Sequence, residues 1–339
     1  MHFIKELPNA EKLQKDIPLT EQEQKGREKR IHEIQAVLSG IDKRKILIIG
    51  PCSADREDAV IEYVSRLAEL EKNIRDRILL IPRIYTSKPR TTGEGYKGII
   101  HNPYGDDYEN LIQGIVATRK LHIRAIRETG LYAADEMLYP EGIYYISDLL
   151  CYMAVGARSV EDQGHRMVAS DKHIPVGLKN PVGGSKITLV NSIRAAQMAH
   201  RLIYRGWEME TEGNCFAHGI LRGYTDKEGK NHPNYHYEDI IEFHDLCYRN
   251  NISNMGVIID CNHANSNKQY DEQMRIAKEV FGYCRENTAL NSFIKGLMIE
   301  SYLEDGSQIP GQGCYGKSIT DPCLGWKKTE QLVMKLYKN

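Results

Sequence analysis

Residues 78–98 read Ile-Leu-Leu-Ile-Pro-Arg-Ile-Tyr-Thr-Ser-Lys-Pro-Arg-Thr-Thr-Gly-Glu-Gly-Tyr-Lys-Gly. The apolar run from Ile78 to Ile81 reads as a short buried strand. Arg83, Lys88, Arg90 and Lys97 come after it, separated by hydroxyls and glycines. Arg offers paired N–H donors, Lys a point charge and Thr a neutral donor, while Gly lets the backbone approach closely. A strand that runs into such a loop is suited to holding phosphate. Pro89 fixes the backbone between Lys88 and Arg90, which a merely solvated basic loop does not need.

The same unit recurs along the chain. Further strands are expected at Ile46–Ile49, Tyr132–Ala134, Ala154–Val155, Val176–Leu178, Asn214–Leu221, Val257–Ile259 and Gly296–Ile299. Helical periodicity lies between most of them, over Arg56–Lys72, Tyr108–Thr129, Ile187–Tyr204, Glu238–Asn250 and Asp271–Arg285. Short strands alternating with longer helices predict a parallel sheet. Eight such repeats in about 290 residues predict an α/β fold of the (β/α)8 TIM barrel type. No GxGxxG comes after the first strand, so the dinucleotide-binding alternative lacks its fingerprint.

Residues 1–40 differ in character from the rest of the chain. They are highly charged, and Thr20 with Glu23 forms a capping-box pattern that opens a helix over about 20–39. We expect an N-terminal helical extension over 1–40, serving as an oligomerisation or regulatory arm or as a cap, and a catalytic barrel over 41–339.

Composition excludes several classes. The 45 basic and 46 acidic residues nearly cancel, so no global field favours nucleic acid or an anionic membrane. No apolar run approaches the roughly 18 residues of a membrane span, and Met1–Pro8 lacks the apolar core of a signal peptide. The 8 cysteines are scattered without a CxxC pair, which is neither a disulfide framework nor a zinc module. The expectation is a cytoplasmic protein with reduced thiols.

Barrel active sites gather at the C-terminal strand ends. The residues found there are Gly50-Pro51-Cys52-Ser53, Arg83 with Lys88 and Arg90, Asp135-Glu136, Arg158, Lys179-Asn180, Arg222, Asp260 to Asn265, and Glu300-Ser301. Two chemistries emerge. Cys52, His263, Glu300 and Asp321 offer a thiolate, an imidazole and two carboxylates, a set that suits a borderline divalent transition ion rather than calcium. Taken singly, each also has an ordinary structural reading. Arg83, Lys88, Arg90, Arg158, Lys179 and Arg222 would repel one another at one barrel mouth unless anions sit among them. The alternative is that they form ordinary salt bridges with neighbouring carboxylates.

These residues carry a resemblance. Gly50–Ser53, Lys88–Thr92, Gly156–Arg158 with Gln163, His165 and Arg166, Pro175–Asn180, Leu221–Gly223, Ile259–Ser266, Ile299–Ser301 and Tyr315–Trp326 resemble the type I 3-deoxy-D-arabino-heptulosonate 7-phosphate (DAHP) synthases, from about residue 20 to the end. The resemblance implies a metal-dependent transferase that condenses phosphoenolpyruvate with erythrose 4-phosphate. It implies metal ligands Cys52, His263, Glu300 and Asp321, the ion being manganese, iron, cobalt or zinc. It implies phosphoenolpyruvate contacts at Arg83, Lys88, Arg158, Lys179 and Arg222 with Glu136 nearby, and erythrose 4-phosphate contacts at Arg90 and Thr91. Lys88, His263 and Cys52 are the expected catalytic residues. It further implies a homodimer or homotetramer and an aromatic amino acid as feedback inhibitor, with Ile143 and His173 at the effector pocket. Cys323, two residues beyond Asp321, is a candidate disulfide partner of Cys52 should metal be lost.

The chain departs from the family pattern at Gly93–Tyr96, one residue longer than in the best-known members, and after Asn180. A related barrel, 3-deoxy-D-manno-octulosonate 8-phosphate synthase, is the nearest rival, but it carries Asn-Arg-Ser-type residues where this chain has Lys88-Pro-Arg-Thr. A non-catalytic effector-binding barrel is disfavoured because every catalytic position is filled. A metal-dependent aldolase would not need so many cations.

Overall fold

The computed structural model describes residues 2–90, 92–105, 108–171 and 174–338. Eight parallel strands, Lys45–Gly50, Ile78–Pro82, Ala134–Glu136, Tyr152–Val155, Val176–Lys179, His218–Leu221, Val257–Asp260 and Ile294–Glu300, pair in chain order, and the eighth pairs with the first. The ring is completed between the second and third strands by a parallel bridge from Arg83 to Ala134. This is the (β/α)8 barrel expected from the sequence. The strands are buried along nearly their whole length, because side chains fill the barrel on one face and helices cover the other.

Close packing decides some residue types. At Gly296 any Cβ would overlap the backbone carbonyl of Ile46 on the neighbouring strand. Only glycine lets the first and eighth strands approach there.

The covering helices come after their strands, at Glu57–Glu71, Leu111–Thr129, Gln163–Ala169, Lys186–Gln197, Tyr237–Arg249, Glu272–Glu286 and Trp326–Lys338. The third unit has only a 3₁₀ turn, Gly142–Tyr145. Helix Ala10–Asp16 covers that place: Leu13 packs in a small cluster with Ile100 and Ile115, and buried Arg119 ties Ile17 O and Tyr145 O together at 2.8 and 3.0 Å. Helix Glu21–Ser39 opens with the expected Thr20–Glu23 capping box. It runs under the N-terminal strand ends, where Tyr132 donates to Glu23 O and Arg27 to Leu150 O and Ser147 O. Its Ile34, Val37 and Leu38 join the main core.

Several boundaries differ from expectation. The helix predicted over 187–204 stops at Gln197, and Arg201–Tyr204 turns back on Trp207–Glu210 as an antiparallel hairpin. Its two-residue turn, Arg205-Gly206, has φ of 52° and 79°, the mirror-type turn that matches strand twist. The strand predicted from Asn214 begins at His218, because the Asn214 amide instead donates to the carbonyls of Ala169, Asp171 and Ile174. The third strand is shifted to Ala134–Glu136. Among the described residues no helix is long and apolar enough to cross a membrane.

Candidate active site

The strand ends bring a thiol and two carboxylates together. A sulfur of Cys52 and one oxygen each of Glu300 and Asp321 lie within 4.8 Å of one another. Cys52 lies just past the first strand, Glu300 ends the eighth, and Asp321 comes from the loop beyond it. That loop is moored to the first by Ser53 Oγ and Thr320 Oγ1, 2.9 Å apart. His263, the fourth expected ligand, stands outside the tight group but approaches it, with Nε2 3.7 Å from Glu300 Oε1. Its φ is 49°, a left-handed conformation that a side chain adopts only under constraint.

A supporting layer holds these groups. Asp260, fully buried at the end of the seventh strand, places Oδ2 2.8 Å from His263 Nδ1 and leaves Nε2 as the donor atom facing the site. Asn262 donates from Nδ2 to Glu300 Oε2. Gln273 brackets the Glu300 backbone, accepting from its N at 2.8 Å and donating to its O at 2.9 Å. The donor set therefore fits a borderline divalent ion: one soft sulfur, two hard oxygens and an imidazole already oriented by a carboxylate.

Cations surround this cluster. Lys88 Nζ donates to Cys52 Sγ at 2.7 Å and lies 4.0 Å from Asp321 Oδ2. Arg83 is 1% exposed and gives most of its N–H groups to the chain itself: Pro51 O at 3.1 Å, Cys52 O at 3.2 Å, Glu300 Oε1 at 2.7 Å and Met298 Sδ at 3.4 Å. With five donors on a guanidinium, Arg83 has little left for a substrate; it mainly fixes Glu300 and the Cys52 loop. Lys179 is buried, 4.0 Å from Asp260 Oδ2. Arg222 is half-buried, and its Nη1 is buried without a hydrogen-bond partner among the described residues. Arg158 is exposed at the rim. Arg90 is half-buried and donates from Nε to Tyr96 O at 2.8 Å, and Tyr96 is itself anchored to Ala54 O at 2.7 Å. Gly95, at φ 86°, runs beside the Arg90 guanidinium, so the longer segment 93–96 folds back on Arg90. Thr91 and His173 lie outside the described residues.

The electrostatics result from this crowding. Burial would raise the Glu136 carboxyl, but Lys179, Arg83, Lys88 and His263 outweigh it and hold it below the usual range. Burial likewise opposes Asp321, which Lys88, Lys268 and His263 hold well down. Burial lowers Lys179, with Glu136 opposing, and lowers His263 against Asp260 and Glu300. It also pushes the Cys52 thiol up, aided by Glu300 and opposed by Lys88. Burial weakens the Lys88 charge, yet nearby Cys52, Asp321 and Glu300 raise its pKa overall. Cys52 and Cys323 are both buried free thiols.

Sequence reasoning placed Asp260 and Asn262 at a strand end without giving them a role, and missed Gln273 and Tyr85. Tyr85 lies under Arg83, whose guanidinium carbon is 3.9 Å from its ring centre. Asp260 opens the Asp-Cys-Asn-His run, and a carboxylate three residues from a candidate ligand histidine is a signal that finds it.

A barrel with a mixed thiol, imidazole and carboxylate cluster, ringed by cations at one mouth, is a barrel enzyme suited to anionic substrates. The chain belongs to the DAHP synthetase I family, whose model matches residues 16–334. It is 37% identical over 311 residues to the Trp-sensitive phospho-2-dehydro-3-deoxyheptonate aldolase of Escherichia coli O157:H7, covering 89% of this chain and 86% of that one. It is 34% identical over 342 residues to the Tyr-sensitive enzyme of Escherichia coli strain K12, covering 98% and 93%. The solved phospho-2-dehydro-3-deoxyheptonate aldolase of Francisella tularensis SCHU S4 superposes with a TM-score of 0.91 at 32% identity, covering 100% of this chain and 98% of that one.

Proposed function

We propose that the chain is a DAHP synthase: it condenses phosphoenolpyruvate with D-erythrose 4-phosphate, releases inorganic phosphate and opens the shikimate route to aromatic amino acids. The observation that carries the chemistry is Arg222 Nη1, a buried cationic donor with no hydrogen-bond partner among the described residues, beside a second cation, Arg158. Such a group is costly to bury unless an anion completes it.

In this reading Lys88, Arg158, Lys179 and Arg222 take the phosphate and carboxylate of phosphoenolpyruvate, with Glu136 beside them and Arg83 contributing mainly by fixing the site floor. Arg90 and Thr91 take the aldose phosphate. Cys52, His263, Glu300 and Asp321 would hold a divalent ion, manganese, iron, cobalt or zinc. When bound it supplies Lewis acidity toward the aldehyde. As C3 of phosphoenolpyruvate bonds to the aldehyde carbon, the aldehyde oxygen takes a proton, and the charged Lys88 ammonium is the donor within reach of the cluster. Water adds at C2, oriented by the ionised Glu136, which takes one of its protons. As the C2–O bond to phosphate breaks, that proton passes to the departing phosphate and the C2 hydroxyl proton returns to the Lys88 amine, leaving the C2 ketone and inorganic phosphate. Holding two anions side by side against fixed charges supplies much of the rate enhancement.

The test is phosphate release from phosphoenolpyruvate in the presence of added divalent metal, with erythrose 4-phosphate or with arabinose 5-phosphate. Release with the first aldose is expected. Release only with the second, or none with either, would overturn the reading.

Regulation by an aromatic amino acid is supported by a cleft of about 700 Å³ between helix Glu21–Ser39 and the third and fourth barrel units, lined by Arg27, His32, Ile143, Tyr144, Asp148 and Met153. Inhibition assays with Phe, Tyr and Trp identify the ligand. Self-association is supported by exposed Phe3 and Ile4 near the N-terminus and Ile203 and Trp207 on the hairpin, and sedimentation measures it.

A further inference from the structure

The ring closes least firmly between its second and third strands, where a single bridge joins Arg83 to Ala134 and Ile84 N donates to Ala134 O at 3.0 Å. In a parallel ladder the next donors would be Glu136 N, to Ile84 O, and Thr86 N, to Glu136 O. Neither bond forms. Both N–H groups turn instead to one side-chain oxygen, Asp135 Oδ1, at 2.7 Å from Glu136 N and 3.0 Å from Thr86 N. The other oxygen, Oδ2, accepts from Thr86 Oγ1 at 2.5 Å and lies 3.2 Å from His122 Nε2. All three side chains, Thr86, His122 and Asp135, are about 1% exposed.

We propose that Asp135 is a positioning residue for the phosphoenolpyruvate pocket: its carboxylate intercepts the ladder between the second and third strands and sets where Glu136 and the segment leading to Lys88 lie. The inference rests on the synthase reading. Taking both ladder donors lets the two strands part at the mouth of the barrel without leaving buried N–H groups unpaired. The clasp is built at the residue before Glu136 and two residues before Lys88, so its geometry passes directly to both. Helix Leu111–Thr129 supplies the fourth contact through His122 and holds the carboxylate from behind. The aldose side is anchored independently, since Arg90 is held by Tyr96 O and Tyr96 by Ala54 O. Loss of the Asp135 carboxylate therefore bears on one substrate more than on the other.

The experiment compares Asp135→Ala, Asp135→Asn and Thr86→Val with the wild-type enzyme in its metal-loaded form, measuring both KM values and kcat. Wild-type turnover is the control for the synthase reading itself; its absence would count against that reading. For folded Asp135→Ala, the KM for phosphoenolpyruvate is expected to rise about tenfold or more, with the KM for erythrose 4-phosphate within about twofold. Asp135→Asn keeps an acceptor for both N–H groups, and its amide can pair with Thr86 Oγ1 and with His122 in its other tautomer, so most of the loss should be recovered. Should Asp135→Ala not fold, Thr86→Val decides the matter, with a smaller rise of about threefold confined to the same substrate. Equal shifts in both KM values, or no shift in either folded variant, overturn the proposal.

Discussion

The Lys88 ammonium donates to the Cys52 sulfur at 2.7 Å while standing 4.0 Å from the Asp321 carboxylate. A cation of the substrate pocket thus lies against two of the proposed metal donors. A divalent ion held by those donors would compete with Lys88 for their charge and would leave the ammonium free for a substrate.

From this contact, Cys52→Ala and Lys88→Met should behave differently. Cobalt bound by the wild-type protein is expected to show thiolate-to-cobalt absorption, which Cys52→Ala loses together with turnover. Lys88→Met is expected to keep the absorption and lose about 10²-fold or more in kcat. Retained activity in chelator-treated Cys52→Ala would sink the metal assignment.

Asp260 stands behind His263, with Oδ2 2.8 Å from its Nδ1. Replacing it by Asn leaves the ring without its carboxylate orienter. Metal affinity, measured by competition with a chromophoric chelator, should fall about 10- to 100-fold. Unchanged affinity would show that the imidazole is positioned by other means.

His218 lies inside the barrel with Nδ1 2.8 Å from Phe216 O and Nε2 2.8 Å from the Tyr152 hydroxyl. Burial depresses its pKa to about 4. The folded state therefore disfavours the charged ring, while the unfolded chain binds a proton near pH 6.5. Stability from this group is undiminished above pH 6.5, falls as pH drops toward 4 and levels below it. The shift corresponds to a loss on the order of 3 kcal/mol. Urea midpoints measured between pH 7 and 4.5 should drop less for His218→Gln than for the wild type.

Arg30 and Glu71 form a buried two-point ion pair, at 2.8 and 3.0 Å, joining helix Glu21–Ser39 to helix Glu57–Glu71. Glu71 also accepts from Leu80 N on the second strand. Glu71→Ala should cost about 3–5 kcal/mol because it strands a buried guanidinium, whereas the paired change Arg30→Met with Glu71→Leu should cost much less. Chemical denaturation of both variants checks the difference.

Much of the barrel was legible from residues in order. The runs Ile46–Ile49 and Ile78–Ile81 are apolar on both faces, which only a strand covered on both sides requires, and the structure extends each by a residue or two. Thr20 and Glu23 marked a helix start because the cap is local chemistry between residues three apart. Where the reading failed, the deciding partner was distant. The pattern over 187–204 had no local breaker, yet the chain leaves the helix at Gln197 to form a hairpin. Asn214 looked like the start of a strand, but its amide bonds to carbonyls some 40 residues away.

The sequence by itself determined the inventory: eight buried strands, a cation or carboxylate at most of their ends, and the motifs that place the chain in its family. These are properties of residue type and spacing, and each is readable within a window of a few residues. Only the tertiary structure decided how those groups share the mouth of the barrel. It gave Arg83 to Glu300 and the Cys52 loop, left Arg222 Nη1 without a hydrogen-bond partner among the described residues, and set Asp260 behind His263. It also put Asp135 into the ladder between the second and third strands. Hydrogen bonds and charge interactions depend on distances of a few ångströms between residues as far apart as 83 and 300, and those distances exist only once the ring has closed.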